Sequence, residues 1–188
     1  MPNLFIIGGC NGAGKTTASY VMLPEMLDCK EFINADEIAR GLSPFQPESV
    51  SINAGRIMVD RMEGLLRQKK DFAIETTLAT KTYVKFIKKA QAEGYFVTLL
   101  YFWLDSPELA ISRVEERVRC GGHNIPEEVI RRRYKAGACN LFTLYTPICD
   151  YWIVINNSEI PFKLVVEGKK NQITEMHNAE IYNIIKNS

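Results

Sequence analysis

Leu4-Phe5-Ile6-Ile7-Gly8-Gly9-Cys10-Asn11-Gly12-Ala13-Gly14-Lys15-Thr16-Thr17 is the stretch on which the fold turns. A short apolar run meets a glycine-rich turn, and the turn opens a segment with helical spacing. Gly9 to Thr16 satisfies G-x-x-x-x-G-K-[ST], the pattern of a phosphate-binding loop, or P-loop. Glycines let successive backbone N–H groups face a phosphate, and the helix behind them adds the positive end of its dipole. Asn11, Gly12, Ala13, Gly14, Lys15, Thr16 and Thr17 are therefore the candidate nucleotide-binding residues. Lys15 is the group to reach the β- and γ-phosphates of ATP, and the Thr16 hydroxyl the group to hold Mg²⁺.

Beyond the loop, strand and helix patterns alternate, as in an α/β sandwich with a mostly parallel sheet. A helix from Lys15 to about Leu27 has Ala18, Val21 and Met22 inward, with Pro24 expected to kink or end it. Phe32-Ile33-Asn34-Ala35-Asp36 reads as a short buried strand delivering a carboxylate beside a helix that begins at Glu37. Open α/β sheets bind ligands at the C-terminal ends of their strands, which singles out Asp36; helix capping is the other use of an Asp there. Glu48 to Gln68 carries Val50, Ala54, Ile57, Met58, Met62, Leu65 and Leu66 on one stripe, an amphipathic crossover helix. Phe72-Ala73-Ile74 is the next strand and ends in Glu75-Thr76-Thr77, a second carboxylate with two hydroxyls.

A helix over Lys81 to Glu93 leads to Tyr95–Leu104, the most continuous apolar run and hence a central strand buried on both faces. Asp105 or Ser106 caps the helix that follows, with metal binding the second use open to Asp105. In that helix Arg113 and Arg117 lie four residues apart on one face. Cys120 to Asn124 breaks it, and a further helix carries Arg131-Arg132-Arg133. Helix, loop and basic helix over about 113–135 form a candidate lid for a triphosphate, with Arg113 and Arg117 as catalytic candidates. The competing reading is a solvated surface paired with Glu115, Glu116, Glu127 and Glu128. Tyr151 to Ile155 is a fifth strand, and the Asn156-Asn157-Ser158 loop after it offers Asn157 to the nucleotide. Phe162 to Glu167 is expected as an edge strand and Ile173 to Ile185 as a closing helix.

Length and composition bound the remaining choices. The 188 residues suit one domain, 1–188, and 23 basic against 22 acidic residues leave no overall field for nucleic acid. Five scattered cysteines fit neither a disulfide framework nor a zinc cluster. No apolar stretch approaches the ~20 residues of a spanning helix, so a cytoplasmic protein without a membrane partner is expected.

The P-loop, a strand ending Asn34-Ala35-Asp36, a strand ending Glu75-Thr76-Thr77 and an arginine lid together resemble the zeta-toxin family of P-loop kinases. The resemblance implies a P-loop kinase-type three-layer α/β sandwich with an arginine-bearing helical lid. It also implies ATP and Mg²⁺ as cofactors, and transfer of the γ-phosphoryl group to a hydroxyl of a nucleotide sugar such as UDP-N-acetylglucosamine. By that resemblance Lys15 and Thr16 bind phosphate and Mg²⁺, and Asp36 is the base on the acceptor hydroxyl. Glu75, Thr76 and Thr77 hold the acceptor, Arg117 is a lid arginine, and an antitoxin-like protein is a partner to seek. The chain is shorter than the classical toxins, and the family's second lid arginine falls at His123, which leaves Arg131, Arg132 or Arg133 to substitute. Two other readings stay open: a kinase for another metabolite or a nucleic-acid end, and a nucleotide-dependent switch or ATPase. Against the last, the chain has neither N-K-x-D nor L-S-G-G-Q.

Overall fold

Leu4 and Ile6 belong to one apolar core and Phe5 and Ile7 to another, because successive side chains of a strand leave by opposite faces. That alternation in β1 (Asn3–Gly8) is the basis of a three-layer molecule, seen in a computed structural model that describes residues 1–122 and 124–188. The sheet runs β2 (Phe32–Ile33), β3 (Phe72–Thr76), β1, β4 (Phe96–Trp103), β5 (Tyr151–Asn156), β6 (Lys163–Lys169), β7 (Gln172–Met176). Its first five strands are parallel, and β6 and β7 are antiparallel additions at one edge. Parallel neighbours need crossovers, and the helices between them cover both faces. β4 is the middle strand, and its residues from Leu99 to Trp103 are all buried, as the continuous apolar run requires.

On one face α3 (Ser51–Arg67) inserts Met58, Met62, Leu65 and Leu66, and α4 (Thr82–Ala92) inserts Ile87 and Ala90, against Leu4, Ile6, Phe72 and Ile74. On the other, Leu23 of α1 (Lys15–Met26) and Ala110, Ile111 and Val114 of α5 (Pro107–Arg119) pack on Phe5, Ile7, Leu100 and Phe102. Each Leu, Ile, Val, Met or Phe side chain among them contributes about 1.5–3 kcal/mol when withdrawn from water, and each alanine less. α6 (Glu127–Asn140) gives Ile130 to the second core and Ala138 to the first, so it crosses the sheet at the C-terminal ends of the strands. Gly137 permits the crossing, since a Cβ there would lie 2.6 Å from the Thr77 carbonyl oxygen.

Several local expectations are corrected. α1 ends at Met26, close to the expected end near Leu27, with Pro24 in its last turn, where a proline costs only one hydrogen bond. Its inward residues include Ser19 and Leu23, while Val21 is exposed. β6 is an interior strand, not the edge; β7 takes the edge. The expected helix over 173–185 is β7 followed by a short α7 (Ala179–Lys186), because 169–172 closes a hairpin and Asn178 caps the new helix through Ile181 N–H. His123, the residue at the family's second lid position, lies outside the described residues.

Candidate active site

The site begins where β1 gives way to α1. Gly9 has φ +141°, and a Cβ there would stand 2.4 Å from the Phe102 carbonyl oxygen. Gly12 has φ +79°, with the Ala110 carbonyl 2.5 Å from where its Cβ would be. Both positions therefore demand glycine for conformation and for space. The loop's own turn is closed by Ala13 N–H donating to Cys10 O at 3.2 Å. Lys15 is buried, and its ammonium donates to Cys10 O at 2.9 Å while standing 3.5 Å from Glu75 Oε1. Burial pushes the Cys10 thiol up to about 11, against the pull of Lys15, so the P-loop cysteine stays a neutral thiol.

Strand order brings the carboxylates to this point. β3 lies beside β1, and Glu75 pairs in register with Ile7, which sets its side chain at the P-loop mouth. The Thr16 hydroxyl donates to Glu75 Oε2 at 2.7 Å. Asn34, buried between β2 and α2 (Ala35–Leu42), donates from Nδ2 to the same Oε2 at 2.9 Å and sits 3.4 Å from Thr16 Oγ1. Asn34, rather than Asp36, is the cap of α2: its Oδ1 accepts from Asp36 N–H at 2.8 Å. Asp36 is thereby left uncommitted as a cap; it lies exposed in the first turn and is one of the residues that line the cleft.

Thr16, Asp36 and Glu75 line one cleft of about 310 Å³ with Asn11, Gly12, Gly14, Lys15, Thr17, Asn34, Glu37, Arg40, Arg113 and Arg117. Mg²⁺ takes hard oxygen donors and is commonly held by one or two carboxylates together with substrate phosphates. A threonine hydroxyl with the carboxylates of Asp36, Glu37 and Glu75, and no thiol or imidazole among the described lining residues, fit that demand.

Other candidates are brought to the loop as braces. Arg113 donates from Nη1 to Asn157 O at 2.8 Å and from Nη2 to Ser158 O at 2.9 Å, so it fastens the loop after β5. Asn157 in turn donates from Nδ2 to Ala13 O at 2.8 Å and packs against Gly14, supporting the P-loop from behind. Thr76 and Thr77 are not among the cleft-lining residues. Their hydroxyls accept from the N–H groups of Leu78 and Ala79 at 3.1 and 3.5 Å and shape the turn after β3. Of the three consecutive arginines, Arg133 reaches the P-loop, donating to Asn11 Oδ1 at 3.1 Å. Arg131 pairs with Glu108 at 2.6 Å, and Arg132 is exposed. Ser106 caps α5 by accepting from Leu109 N–H, and Asp105 is exposed beside it.

A second cleft of about 790 Å³ adjoins the first through Asp36 and Arg40, which line both. Its walls include Ala39, Pro44, Phe45, Pro47, Ile125, Pro126 and Val129, with Glu48, Ser51 and Arg133. Phe45, held between two prolines, is 97% exposed at this cleft. Sequence reasoning missed Asn34 and Arg40. Asn34 was within reach, since Asn before an acidic first turn is a capping signal; Arg40 lies one helical turn beyond Asp36 on the same face.

The family profile of the zeta toxin matches residues 1–160. A curated protein of Haemophilus influenzae described as uncharacterized is 30% identical over 126 residues, covering 67% of this chain and 88% of the relative. Among solved structures, the AvrRxo1-ORF1:AvrRxo1-ORF2 complex with sulphate ions superposes with a TM-score of 0.78 at 18% identity, over 99% of this chain. This chain spans 64% of that one. The PezAT toxin-antitoxin system of Streptococcus pneumoniae superposes with a TM-score of 0.66 at 20% identity, over 92% of this chain and 74% of that one. A shikimate kinase of Acinetobacter baumannii, solved with shikimate, gives 0.51 at 20% over 81% and 83%. These likenesses give the fold, that of P-loop kinases. The family profile adds the sequence, and its span from β1 through the Asn157 loop contains every residue of the smaller cleft; the chain belongs to the zeta toxin family.

Proposed function

We propose that the chain is an ATP- and Mg²⁺-dependent phosphotransferase that moves the γ-phosphoryl group of ATP to a hydroxyl of a small acceptor, a nucleotide sugar such as UDP-N-acetylglucosamine. The observation that carries this reading is that Asp36 lines both clefts. A phosphate site on one side and a roomy, partly apolar cleft on the other, joined at a carboxylate, is what transfer to a bound hydroxyl needs.

Phosphoryl transfer asks mainly for in-line positioning and neutralisation of charge. Lys15 and the P-loop amides hold the β- and γ-phosphates, and Mg²⁺, which Thr16 and Glu75 would hold, would supply charge neutralisation. Asp36 orients the acceptor hydroxyl and takes its proton. Arg117, which lines the phosphate cleft, stabilises the charge of the transferring group, and Arg113 acts through the Asn157 loop. Phe45 and the prolines beside it offer a flat apolar face to an acceptor ring, with Arg40 and Arg133 available to its anionic groups.

The same reading takes residues 1–188 as one domain with a lid over about 113–135, works in the cytoplasm where ATP is available, and has an antitoxin-like protein as a partner. PezAT is a toxin-antitoxin system and AvrRxo1-ORF1 was solved with AvrRxo1-ORF2, which supports looking for that partner. No helix among the described residues is long and apolar enough to cross a membrane. Incubation of the purified protein with ATP, Mg²⁺ and a panel of nucleotide sugars, read by mass spectrometry, tests the reading. One acceptor gaining a single phosphoryl group is expected; ADP release indifferent to every acceptor would favour a switch or ATPase instead.

A further inference from the structure

We infer that Asn34 is a positioning residue that couples the acceptor-side carboxylate, Asp36, to the phosphate-side pair, Thr16 and Glu75; the inference rests on the phosphotransferase reading above. One planar amide, 7% exposed, faces two ways at once. Its Oδ1 accepts from Asp36 N–H at 2.8 Å, and its Nδ2 donates to Glu75 Oε2 at 2.9 Å and lies 3.4 Å from Thr16 Oγ1. The orientation is fixed by chemistry. Flipping the amide would set NH₂ against a backbone N–H and a carbonyl oxygen against a carboxylate.

Capping alone would not call for this residue. Asn, Asp and Ser cap helices about equally well, and any of them would start α2. Asp would oppose a carboxylate to Glu75 at hydrogen-bond distance, and Ser has no second arm to reach it. Asn satisfies both sides, with no residue between the two hydrogen-bonding ends. A shift of Glu75 as Thr16 and its neighbours engage Mg²⁺ therefore passes directly to the first turn of α2, where Asp36 sits. β2 is only two residues long and ends at Ile33, so this amide is the first anchor of α2 after the sheet.

The test compares full-length wild type with Asn34→Ser and Asn34→Thr, alone and in a Glu75→Gln background. Melting temperature is measured, with binding of a fluorescent ATP analogue in the presence and absence of Mg²⁺. Both variants keep a cap, so melting should stay within about 2–4 °C of wild type. The strengthening of nucleotide binding by Mg²⁺ should fall about tenfold or more, the worth of one hydrogen bond to a charged group, while Mg²⁺-free binding moves less than about twofold. In Glu75→Gln, adding Asn34→Ser should change binding less than about twofold, because the shared interaction is already gone. The Asp36 amide resonance should move when Mg²⁺ joins bound nucleotide in wild type and stay in place in Asn34→Ser.

Wild-type Mg²⁺ dependence in both variants, additive losses in the double variant, or a persisting Asp36 response would each reduce Asn34 to a helix cap and overturn the inference. A loss that follows lowered melting temperature, or a wild type whose nucleotide binding ignores Mg²⁺, overturns it equally. If the wild type transfers no phosphoryl group to any acceptor, the kinase reading falls on that assay, and the binding measurements still decide the role of Asn34.

Discussion

The Arg133 guanidinium donates to Asn11 Oδ1 at 3.1 Å, a contact across 122 positions of sequence that ties α6 to the P-loop. Arg131, two residues earlier, instead pairs with Glu108 and Glu127, both of them exposed partners. The hydrogen bond to Glu108 holds the Arg131 guanidinium above its ordinary value and the Glu108 carboxyl below its own. Neighbours in sequence thus face different surroundings. Arg133→Ala should weaken nucleotide binding or turnover about tenfold, whereas Arg131→Ala loses an exposed pair and should leave both within about threefold. Isothermal titration with ATP and steady-state transfer rates for the two variants check this; equal effects would remove Arg133 from the lid.

Lys15→Met tests the phosphate site while keeping side-chain length and apolar volume. The buried ammonium touches only Cys10 O and Glu75 in the described contacts, and Glu75 keeps its hydrogen bonds to Thr16 and Asn34 after the change. The variant should therefore fold, with a native circular dichroism spectrum, and lose about a hundred- to a thousandfold in transfer rate, as when one electrostatic stabiliser is removed. Turnover near wild type in the folded variant would contradict the assignment of Lys15.

How far the sequence foretold this site depends on the range of the forces involved. The P-loop was legible because backbone conformation at Gly9 and Gly12 leaves a local signature, and β4 because burial on both faces demands a continuous apolar run. Strand and helix alternation foretold a parallel sheet with Glu75 at a strand's C-terminal end, but not the strand order that sets β3 beside β1 and Glu75 beside Lys15. Long-range choices were not legible. Nothing local says that Arg113 spends its fork on the carbonyls of Asn157 and Ser158, that the Thr76 and Thr77 hydroxyls accept from the N–H groups of Leu78 and Ala79, or that Arg133 is the arginine to reach Asn11. At the C-terminus, the helix expected over Ile173 to Ile185 lost its first turn to pairing of Gln172–Met176 with β6, a tertiary contact that outweighs a weak periodicity.

Cysteine chemistry gives a test independent of catalysis. Burial raises the Cys10 and Cys29 thiols to about 11 and Cys149 further, while Cys120 and Cys139 are exposed. The thiolate is the reactive species, so iodoacetamide at pH 7.5 should modify Cys120 and Cys139 in the native protein and spare the other three until denaturant is added. Peptide mapping by mass spectrometry reads the result. Early modification of Cys10 would mean that the P-loop opens far more than its packing against Phe102 and Ala110 allows.

Asp36→Asn separates chemistry from structure at the junction of the two clefts. The cap of α2 is Asn34, which accepts from the Asp36 backbone N–H, and this bond survives a change of the Asp36 side chain. Stability should fall by no more than about 0.5 kcal/mol, the usual range for an exposed position away from special features, with a small further loss from removing acid at a helix start. Turnover should fall about a hundred- to ten-thousandfold, the span of general base catalysis, because the amide cannot take the acceptor's proton. ATP affinity should change less than about threefold if Lys15 and the P-loop amides carry most of the binding. Asp36→Glu should recover little, since the extra methylene moves the carboxylate off line in a step where positioning dominates. Single-turnover rates and equilibrium ATP binding, measured on the same samples as thermal melting, distinguish the cases. A parallel loss of rate and ATP affinity would make Asp36 a nucleotide or metal ligand first, and would move the search for the base to Glu75 or to Glu48 of the larger cleft.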